Sequence, residues 1–86
     1  MTEPRFFAEA AEEIEHERSF LRELDRAIAI VMEGPHRWPQ HIGGTRRYVF
    51  PRFPFSLVYF VEDDVVVIVA LEAEHKEPGY WTNRLR

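Results

Sequence analysis

Apolar residues recur at alternating intervals of three and four through the first third of the chain, in a stretch without glycine or proline at residues 6–33. This spacing is typical of one face of an amphipathic helix. Thr2 and Pro4 suit its start, and the Gly34-Pro35 pair suits its end. We therefore predict one long N-terminal helix. A bend at residues 17–19, where the apolar stripe is interrupted, is the alternative.

Three segments with the pattern of β-strands follow a loop at residues 34–44; they are residues 46–50, 55–61 and 65–73. The second alternates between two faces, and the third is apolar on both faces through its middle, as a central strand would be. The short polar connection at residues 62–64 predicts an antiparallel hairpin. On one face of the second strand we expect Phe55, Leu57, Tyr59 and Val61; on the other we expect Val58 and Phe60.

The predicted fold is therefore α+β, with a long N-terminal helix packed on a small antiparallel sheet, in one domain that spans residues 1–86. The 86 residues include no cysteine, which excludes disulfides and thiolate metal sites. The longest apolar run, residues 65–71, is too short to cross a bilayer. The first residues lack a basic region followed by an apolar run, so we expect no signal peptide and a cytoplasmic protein.

The charge of the chain is −4, from 15 acidic and 11 basic residues, and it is unevenly distributed. Most acids lie before residue 34 and again at residues 62–77, whereas Arg46, Arg47 and Arg52 lie between them. An acidic chain does not favour direct, non-specific binding of nucleic acid, which depends on Lys and Arg. The arginine group predicts a basic patch that suits an acidic protein partner at least as well as RNA, although a solvated strand edge is an equal alternative.

The order of several short motifs is more specific than the fold class. Glu-Gly-Pro-His-Arg-Trp-Pro at residues 33–39 is followed by Gly-Gly-Thr-Arg-Arg at 43–47 and Arg-Phe-Pro-Phe-Ser-Leu-Val-Tyr at 52–59. Val-Glu-Asp-Asp at 61–64, an aliphatic strand and Pro-Gly-Tyr-Trp at 78–81 complete the series. Over roughly residues 20–81, this series resembles the centre of ParE-like toxins of the RelE/ParE superfamily.

The resemblance implies the toxin of a bacterial type II toxin–antitoxin, or plasmid stabilisation, system. ParE-like members are associated with blocking DNA gyrase by protein binding, and a cognate antitoxin neutralises them. Relatives usually open with a short strand and a helical hairpin whose turn carries proline and glycine. Here residues 5–7 suit a remnant of that strand, but the turn is absent, so the resemblance also allows a truncated hairpin.

RNA-cleaving relatives differ from this chain at the active surface. They carry an arginine just before Leu-Val-Tyr, where this chain has Ser56, and basic residues with a tyrosine or histidine at the end of the last strand. Here that end contains Glu72, Glu74, His75 and Lys76. Cleavage by 2′-hydroxyl attack needs a proton acceptor, a proton donor and a cation. The residues available for these roles are His75, Lys76, Arg47 and Arg52.

Two carboxylates beside His75 would repel a substrate phosphate, so we expect no confident catalytic residue and favour protein binding. A ribosome-dependent mRNA endonuclease is the alternative. A non-toxic, degenerate member that serves as an interaction module is the third hypothesis. The sequence also suggests no cofactor and no metal site, because no three ligands are spaced as metal ligands are.

Two interaction surfaces follow from these patterns. We expect a partner to contact Arg46, Arg47, Arg52 and Trp81, although Trp38 and Trp81 also suit packing positions. We expect a homodimer through the N-terminal helix, because its apolar stripe would extend beyond a short sheet. The residues predicted to form that contact are Phe6, Phe7, Ile14 and Leu21, and the alternative for the same stripe is the core.

Overall fold

A computed structural model describes residues 4–8, 10 and 18–85 of the protein. Within this part of the chain the elements are strand β1 (Arg5–Phe6), helix α1 (Arg18–Glu33) and strands β2 (Arg46–Val49), β3 (Phe55–Glu62) and β4 (Val65–Ala73). The strands form one mixed sheet in the order β1-β4-β3-β2. The fold is α+β, as the sequence predicts, but the predicted antiparallel sheet is wrong in one respect: the sheet is mixed, because β1 pairs in parallel with β4.

Helix α1 packs one stripe against the sheet. Phe20, Leu24, Ala27 and Val31 are buried at intervals of four, three and four residues, which places them on one side of a helix. The helix ends where the Gly34 amide donates to the Val31 carbonyl at 3.2 Å, and Pro35 follows. No helix in the described ranges combines the length and apolar character that crossing a membrane requires.

The N-terminal residues correct the predicted start of the helix. Arg5 and Phe6 are extended and pair in parallel with Val67 and Ile68 of β4, and the Phe7 amide donates to the Ile68 carbonyl at 3.1 Å. This pairing satisfies backbone groups along β4 that would otherwise form an open edge. Helical residues are described again at positions 8, 10 and 18–33. The choice between one helix and a hairpin, like the cap at Thr2, lies outside the described residues.

The β3–β4 hairpin confirms its prediction. The two strands are antiparallel, with Glu62 opposite Val65, and Asp63 and Asp64 form the two-residue connection. Both aspartates have positive φ, 53° and 62°, which is the conformation of the tight turn that matches strand twist. The alternation predicted for β3 is also confirmed, because its two sets of side chains belong to separate clusters on opposite faces of the sheet.

A β-bulge interrupts the pairing of β3 and β4. Val58 lies opposite Ala70, whereas Tyr59 lies opposite Ile68, so Val69 is an extra residue on β4. Val69 and Ala70 face one side of the sheet together, and Ile68 and Leu71 face the other side. The bulge thereby reverses the alternation along β4. The residues that face α1 have even numbers before the bulge, at Val66 and Ile68, whereas Leu71 after the bulge has an odd number.

The sheet lies between two unequal layers. The helix face, which we define as the face against α1, carries the larger cluster, including Leu57, Tyr59 and Ile68. The opposite face is covered by residues 77–85, which we call the C-terminal strap. Trp81 of the strap is fully buried against Val58, Val69 and Ala70. We call this second side the strap face.

Candidate functional site

The three arginines predicted to form one basic patch are divided by the sheet. Arg46 lies opposite Tyr59, which belongs to the helix-face cluster, whereas Arg47 lies opposite Val58, which belongs to the strap-face cluster. Successive residues of a strand point to opposite faces, so neighbours in sequence cannot share a surface here. The predicted patch of Arg46, Arg47 and Arg52 is therefore wrong as a single surface.

Two of these arginines are engaged within the protein. Arg46 Nη1 donates to the Trp38 carbonyl at 2.7 Å, which holds the loop after α1 against β2. Arg52 donates from both Nε, at 3.0 Å, and Nη2 to Glu23 Oε2 of α1. The Glu23 side chain is buried, so Arg52 compensates a carboxylate that has little access to water.

The pKa of Tyr59 depends on two opposing effects, its burial and the nearby charge of Arg46. Its hydroxyl donates to the Pro35 carbonyl, which ties the centre of the sheet to the loop that follows α1. Burial raises the pKa of Tyr59 and outweighs the opposing effect of the Arg46 charge. Tyr59 is therefore a neutral hydrogen-bond donor in the core at physiological pH.

Arg47 opens onto a small cleft on the strap face, which we call the Arg47 cleft. Its volume is about 110 Å³, and its lining includes Arg47, Ser56, Glu72, Glu74, Lys76 and Pro78. Ser56 lies opposite Glu72 across the β3–β4 pair. The cleft thus combines two cations, two carboxylates and one hydroxyl. Arg47 is exposed and forms no ion pair within the described residues.

Glu72 is the structural centre of this region. Its Oε2 accepts hydrogen bonds from the Trp81 indole Nε1 at 2.8 Å and from the Gly79 amide at 3.1 Å. His41 Nε2 lies 3.2 Å from Glu72 Oε1, and the His41 ring lies 5.7 Å from the Trp81 ring. We call these four residues the Glu72 clamp. The clamp joins β4, the C-terminal strap and the loop before β2.

The clamp keeps Glu72 ionised despite its burial. Burial alone would raise the pKa of this carboxyl, but the Gly79 and Trp81 hydrogen bonds and the His41 contact outweigh it. The net result is a pKa below the ordinary value of 4.5. A carboxylate with two or three donors is stabilised in its charged form. Glu72 is therefore a negative charge in the wall of the Arg47 cleft at neutral pH.

The residues considered for RNA cleavage do not come together. His75 is exposed in the turn after β4 and is not part of the cleft lining. Lys76 lines the cleft, and its Nζ lies 5.0 Å from the centroid of the Tyr80 ring. Arg47 lies on the same sheet face, whereas Arg52 is bonded to Glu23. Only Arg47 and Lys76 of the four predicted residues therefore share a site.

Trp81 does not suit the partner contact that the sequence suggested. Its ring is fully buried and its indole nitrogen is hydrogen-bonded to Glu72, so no part of it is presented to another molecule. The packing alternative describes Trp81 correctly. Trp38 also packs, with its ring 4.9 Å from that of Tyr48 in an edge-on arrangement.

The residues predicted to form a dimer contact have different surroundings. Phe6 belongs to β1 and is 37% exposed, and Leu21 lies on the outer side of α1 and is 39% exposed. Phe7 packs against Phe60, with ring centroids 6.4 Å apart. Ile14 lies outside the described residues. Phe6 and Phe7 are thus not part of a helical stripe that extends beyond the sheet. They therefore do not support a dimer formed through the N-terminal helix.

Sequence reasoning missed His41 and Gly79 as parts of the clamp. His41 is 31 residues from Glu72 along the chain, and no local pattern links them. Gly79 carried a weak signal, since Pro78-Gly79 indicates a turn, and its φ is +79°. The turn directs the Gly79 amide at Glu72. This contact could be inferred only from the three-dimensional position of the strap.

Comparison of the chain with protein-family models, with curated proteins and with solved structures finds no match. The geometry of the Arg47 cleft and the resemblance of the sequence motifs are therefore the basis for an assignment of function.

Proposed function

We propose that this protein is a ParE-like toxin of a bacterial type II toxin–antitoxin system. It acts by binding a protein target of the gyrase type, and a cognate antitoxin neutralises it. The ordered motifs at residues 33–39, 43–47, 52–59 and 78–81 support this proposal. The short strand β1 before the helix agrees with the element order that the resemblance implies.

The composition of the Arg47 cleft carries the choice of protein binding over RNA cleavage. The position where RNA-cleaving relatives have an arginine is Ser56, and the opposite residue is the ionised Glu72. In this lining Glu72 and Glu74 offset the charges of Arg47 and Lys76, whereas stabilising a phosphate during catalysis needs net positive charge there. His75, the histidine that follows β4 in the sequence, lies outside the cleft lining.

The size of the cleft supports the same choice. Clefts that enclose small-molecule ligands have volumes of about 300–1,000 Å³. The Arg47 cleft has about 110 Å³, which is room for one side chain rather than for a nucleotide. A cleft of this size suits one side chain of a protein partner, and specific interfaces bury about 800 Å² on each partner.

The proposal is tested in three assays with the intact protein. Controlled expression in a bacterial host without antitoxin should stop growth. The purified protein should inhibit DNA supercoiling by gyrase and should leave mRNA on translating ribosomes uncut. The His75→Ala variant is the matched control, and it should inhibit gyrase as well as the unaltered protein does.

The two alternatives give different results in these assays. Site-specific mRNA cuts that disappear in His75→Ala would overturn the proposal in favour of a ribosome-dependent endonuclease. Normal growth on expression, with gyrase unaffected and mRNA uncut, would favour the non-toxic interaction module.

A further inference from the structure

A second cleft lies on the strap face at the opposite end of β3 from the Arg47 cleft, and we propose that it binds an arginine side chain of a protein partner. We call it the Glu62 cleft. Its volume is about 340 Å³, and it is lined by Gly43, Gly44, Phe60, Glu62 and Leu85. The inference rests on the protein-binding role proposed above. It adds a place where the partner is recognised and the side chain that the partner must supply.

Strand geometry places an aromatic ring and a carboxylate side by side in this cleft. Phe60 and Glu62 are two residues apart on β3, so their side chains leave the same face of the sheet, about 6.6–6.8 Å apart along the strand. The Phe60 ring is half-buried and packs against the strap-face cluster, and Leu85 of the C-terminal strap completes the apolar part of the lining. A ligand in the cleft therefore meets an apolar floor and one charged group.

One wall of the cleft consists of backbone without side chains. Gly43 and Gly44 both have positive φ, 70° and 79°, a conformation that glycine adopts at little cost and that other residues rarely adopt. A Cβ atom on Gly43 would lie 2.9 Å from Leu85 Cδ1, whereas a Cβ atom on Gly44 would meet nothing within 4 Å. The local conformation thus favours glycine at both positions, and the space beside Gly44 stays open.

The charge of the Glu62 cleft is not balanced by its own lining. Glu62 is exposed and is the one charged side chain among the described lining residues. It forms no ion pair within the described part of the chain. The hairpin turn that follows adds two more exposed carboxylates, Asp63 and Asp64. In the Arg47 cleft, by contrast, two cations face two carboxylates. The Glu62 cleft therefore favours a cationic ligand.

Arg5 is a cation on the same face of the sheet, but it does not line the cleft. It lies beside Val67 on β1, and Val67 lies opposite Phe60, so two strand spacings, or roughly 9–10 Å, separate the backbones of Arg5 and Phe60. Arg84 of the strap donates to the Val69 carbonyl and lies over the Tyr80 ring. Neither arginine is part of the lining.

The combination of ring and carboxylate selects arginine among the cationic side chains. The face of an aromatic ring attracts a cation, and a carboxylate accepts two parallel hydrogen bonds from a guanidinium. A guanidinium is planar and weakly hydrated, so it can stack on Phe60 and donate to Glu62, whereas a lysine ammonium is compact and strongly hydrated. The methylene groups of the arginine contact Leu85.

The probe for this proposal is N-acetyl-arginine N-methylamide, whose blocked ends imitate an arginine within a polypeptide. It is titrated into the intact, ¹⁵N-labelled protein at constant ionic strength, and the amide signals are followed by NMR. The signals that move should belong to the lining residues, with a dissociation constant in the millimolar range, as one side chain provides. The neutral citrulline analogue should not bind, and the lysine analogue should bind about threefold more weakly or worse.

Two variants test the carboxylate and the ring separately. Glu62→Gln should bind the arginine probe about fivefold more weakly. Asp64→Asn removes the same charge two residues away, outside the lining, and should change the affinity by less than about twofold. Phe60→Leu keeps an apolar side chain without a ring, and it should lose the preference for arginine over lysine. Circular dichroism establishes that each variant is folded. If Phe60→Leu does not fold, the comparison of the arginine and lysine probes on the unaltered protein replaces it.

Arg86 of the chain itself is the competing occupant of the cleft. It follows Leu85 in the sequence and lies outside the described residues. Under the proposal, Arg86→Ala should bind the arginine probe as the unaltered protein does. Binding by Arg86→Ala that is more than about threefold tighter would show that Arg86 competes for the cleft, since removing a competitor raises the apparent affinity. That result would overturn the assignment of the cleft to a partner.

Three further results would overturn the proposal: no movement of the lining signals, equal binding of the arginine and citrulline probes, or equal affinity of Glu62→Gln and Asp64→Asn. Equal binding of the arginine and lysine probes to the unaltered protein would overturn the choice of arginine. Failure here is distinguishable from failure of the proposed function, because inhibition of gyrase is measured without any probe. A protein that binds the arginine probe but leaves growth and gyrase unaffected would keep this cleft and lose the toxin assignment.

Discussion

The two faces of the sheet are stabilised in different ways. On the helix face, Phe20 of α1 packs among three other phenylalanine rings with centroid distances of 5.3–5.9 Å, and aliphatic and further aromatic side chains complete the cluster. On the strap face, a much smaller apolar cluster is covered by Trp81, and the ionised Glu72 holds that cover in place. Many contacts secure the first layer, whereas few secure the second.

This difference teaches where substitutions should have large effects. A broad apolar contact loses a part of its area when one side chain is shortened, and its neighbours remain. A layer that a short segment attaches through one buried indole, one carboxylate and a few further hydrogen bonds loses a larger share of its attachment when the indole is removed. The strap face also carries the Arg47 cleft. The candidate functional site therefore lies on the side of the sheet that fewer contacts secure.

The largest effect is expected for Trp81→Ala. Removal of a fully buried tryptophan costs about 3–5 kcal/mol of unfolding free energy, and Glu72 also loses a hydrogen-bond donor. Because small domains have total stabilities of only about 5–15 kcal/mol, this variant should be close to unfolded at room temperature. Urea unfolding measures the loss. Trp81→Phe keeps most of the ring and should lose less, and equal stability of Trp81→Ala and the unaltered protein would show that the strap is not a structural layer.

The next largest effect is expected for Glu72→Gln. The amide oxygen can still accept from Trp81 and Gly79, but a neutral acceptor forms weaker hydrogen bonds than a carboxylate, and an NH₂ group replaces the oxygen that faces His41, so we expect a loss of about 1–3 kcal/mol. Glu74→Gln, two residues away and exposed, is the matched control and should change stability by less than about 0.5 kcal/mol. Urea unfolding at pH 7 compares them. Similar small losses in both variants would contradict the clamp.

The pH dependence of stability, compared between the unaltered protein and Glu72→Gln, gives a smaller and more specific effect. The pKa of Glu72 is lower in the folded protein than its ordinary value of 4.5, so the unfolded chain binds the proton more readily. The stability that Glu72 contributes is therefore complete above about pH 5 and is lost as the pH falls through the folded pKa. The difference in stability between the unaltered protein and Glu72→Gln should shrink below pH 4.5. A difference that stays constant down to pH 3 would contradict this assignment.

The smallest effects are expected for the arginines. Arg52→Ala leaves Glu23 without its partner, but the Arg52 side chain is 70% exposed, so solvent screening limits the loss to about 1 kcal/mol. Arg47→Ala breaks no internal ion pair in the described residues and should change stability by less than about 0.5 kcal/mol. Thermal unfolding distinguishes the two. A loss for Arg47→Ala as large as that for Arg52→Ala would mean that Arg47 has a structural role.

The fold could be predicted where the signals were local. The two faces of β3 followed from an alternation of period two, and the hairpin followed from the polar residues before Val65. Strand β1 was different, because Phe6 and Phe7 also fit a helical stripe. Its pairing with Val67 and Ile68 depends on residues about 60 positions away, and no local pattern reports such a contact.

The site could be predicted only in part. The separation of Arg46 from Arg47 follows from the alternation of side chains along a strand, which the sequence itself indicates for this segment. Glu72 was expected to be a repulsive surface charge, yet it is buried and bound by the strap. The face of the sheet on which Glu72 lies could not be derived from the sequence. The bulge at Val69 reverses the alternation along β4, and the residues around it are all apolar, so the sequence does not indicate where the reversal occurs.

The bulge has a consequence for changes in chain length. Deleting one residue from a central strand usually exchanges inside for outside over everything that follows, and the domain fails to fold. Val69 is the surplus residue of β4, so its deletion would place Ala70 next to Ile68 and leave Leu71 facing the helix and Glu72 facing the strap. Deletion of Val67 would instead exchange the faces of the residues between it and the bulge. Among the interior positions of this strand, the bulge at Val69 and Ala70 is thus the place where the chain can be shortened by one residue while both layers keep their register.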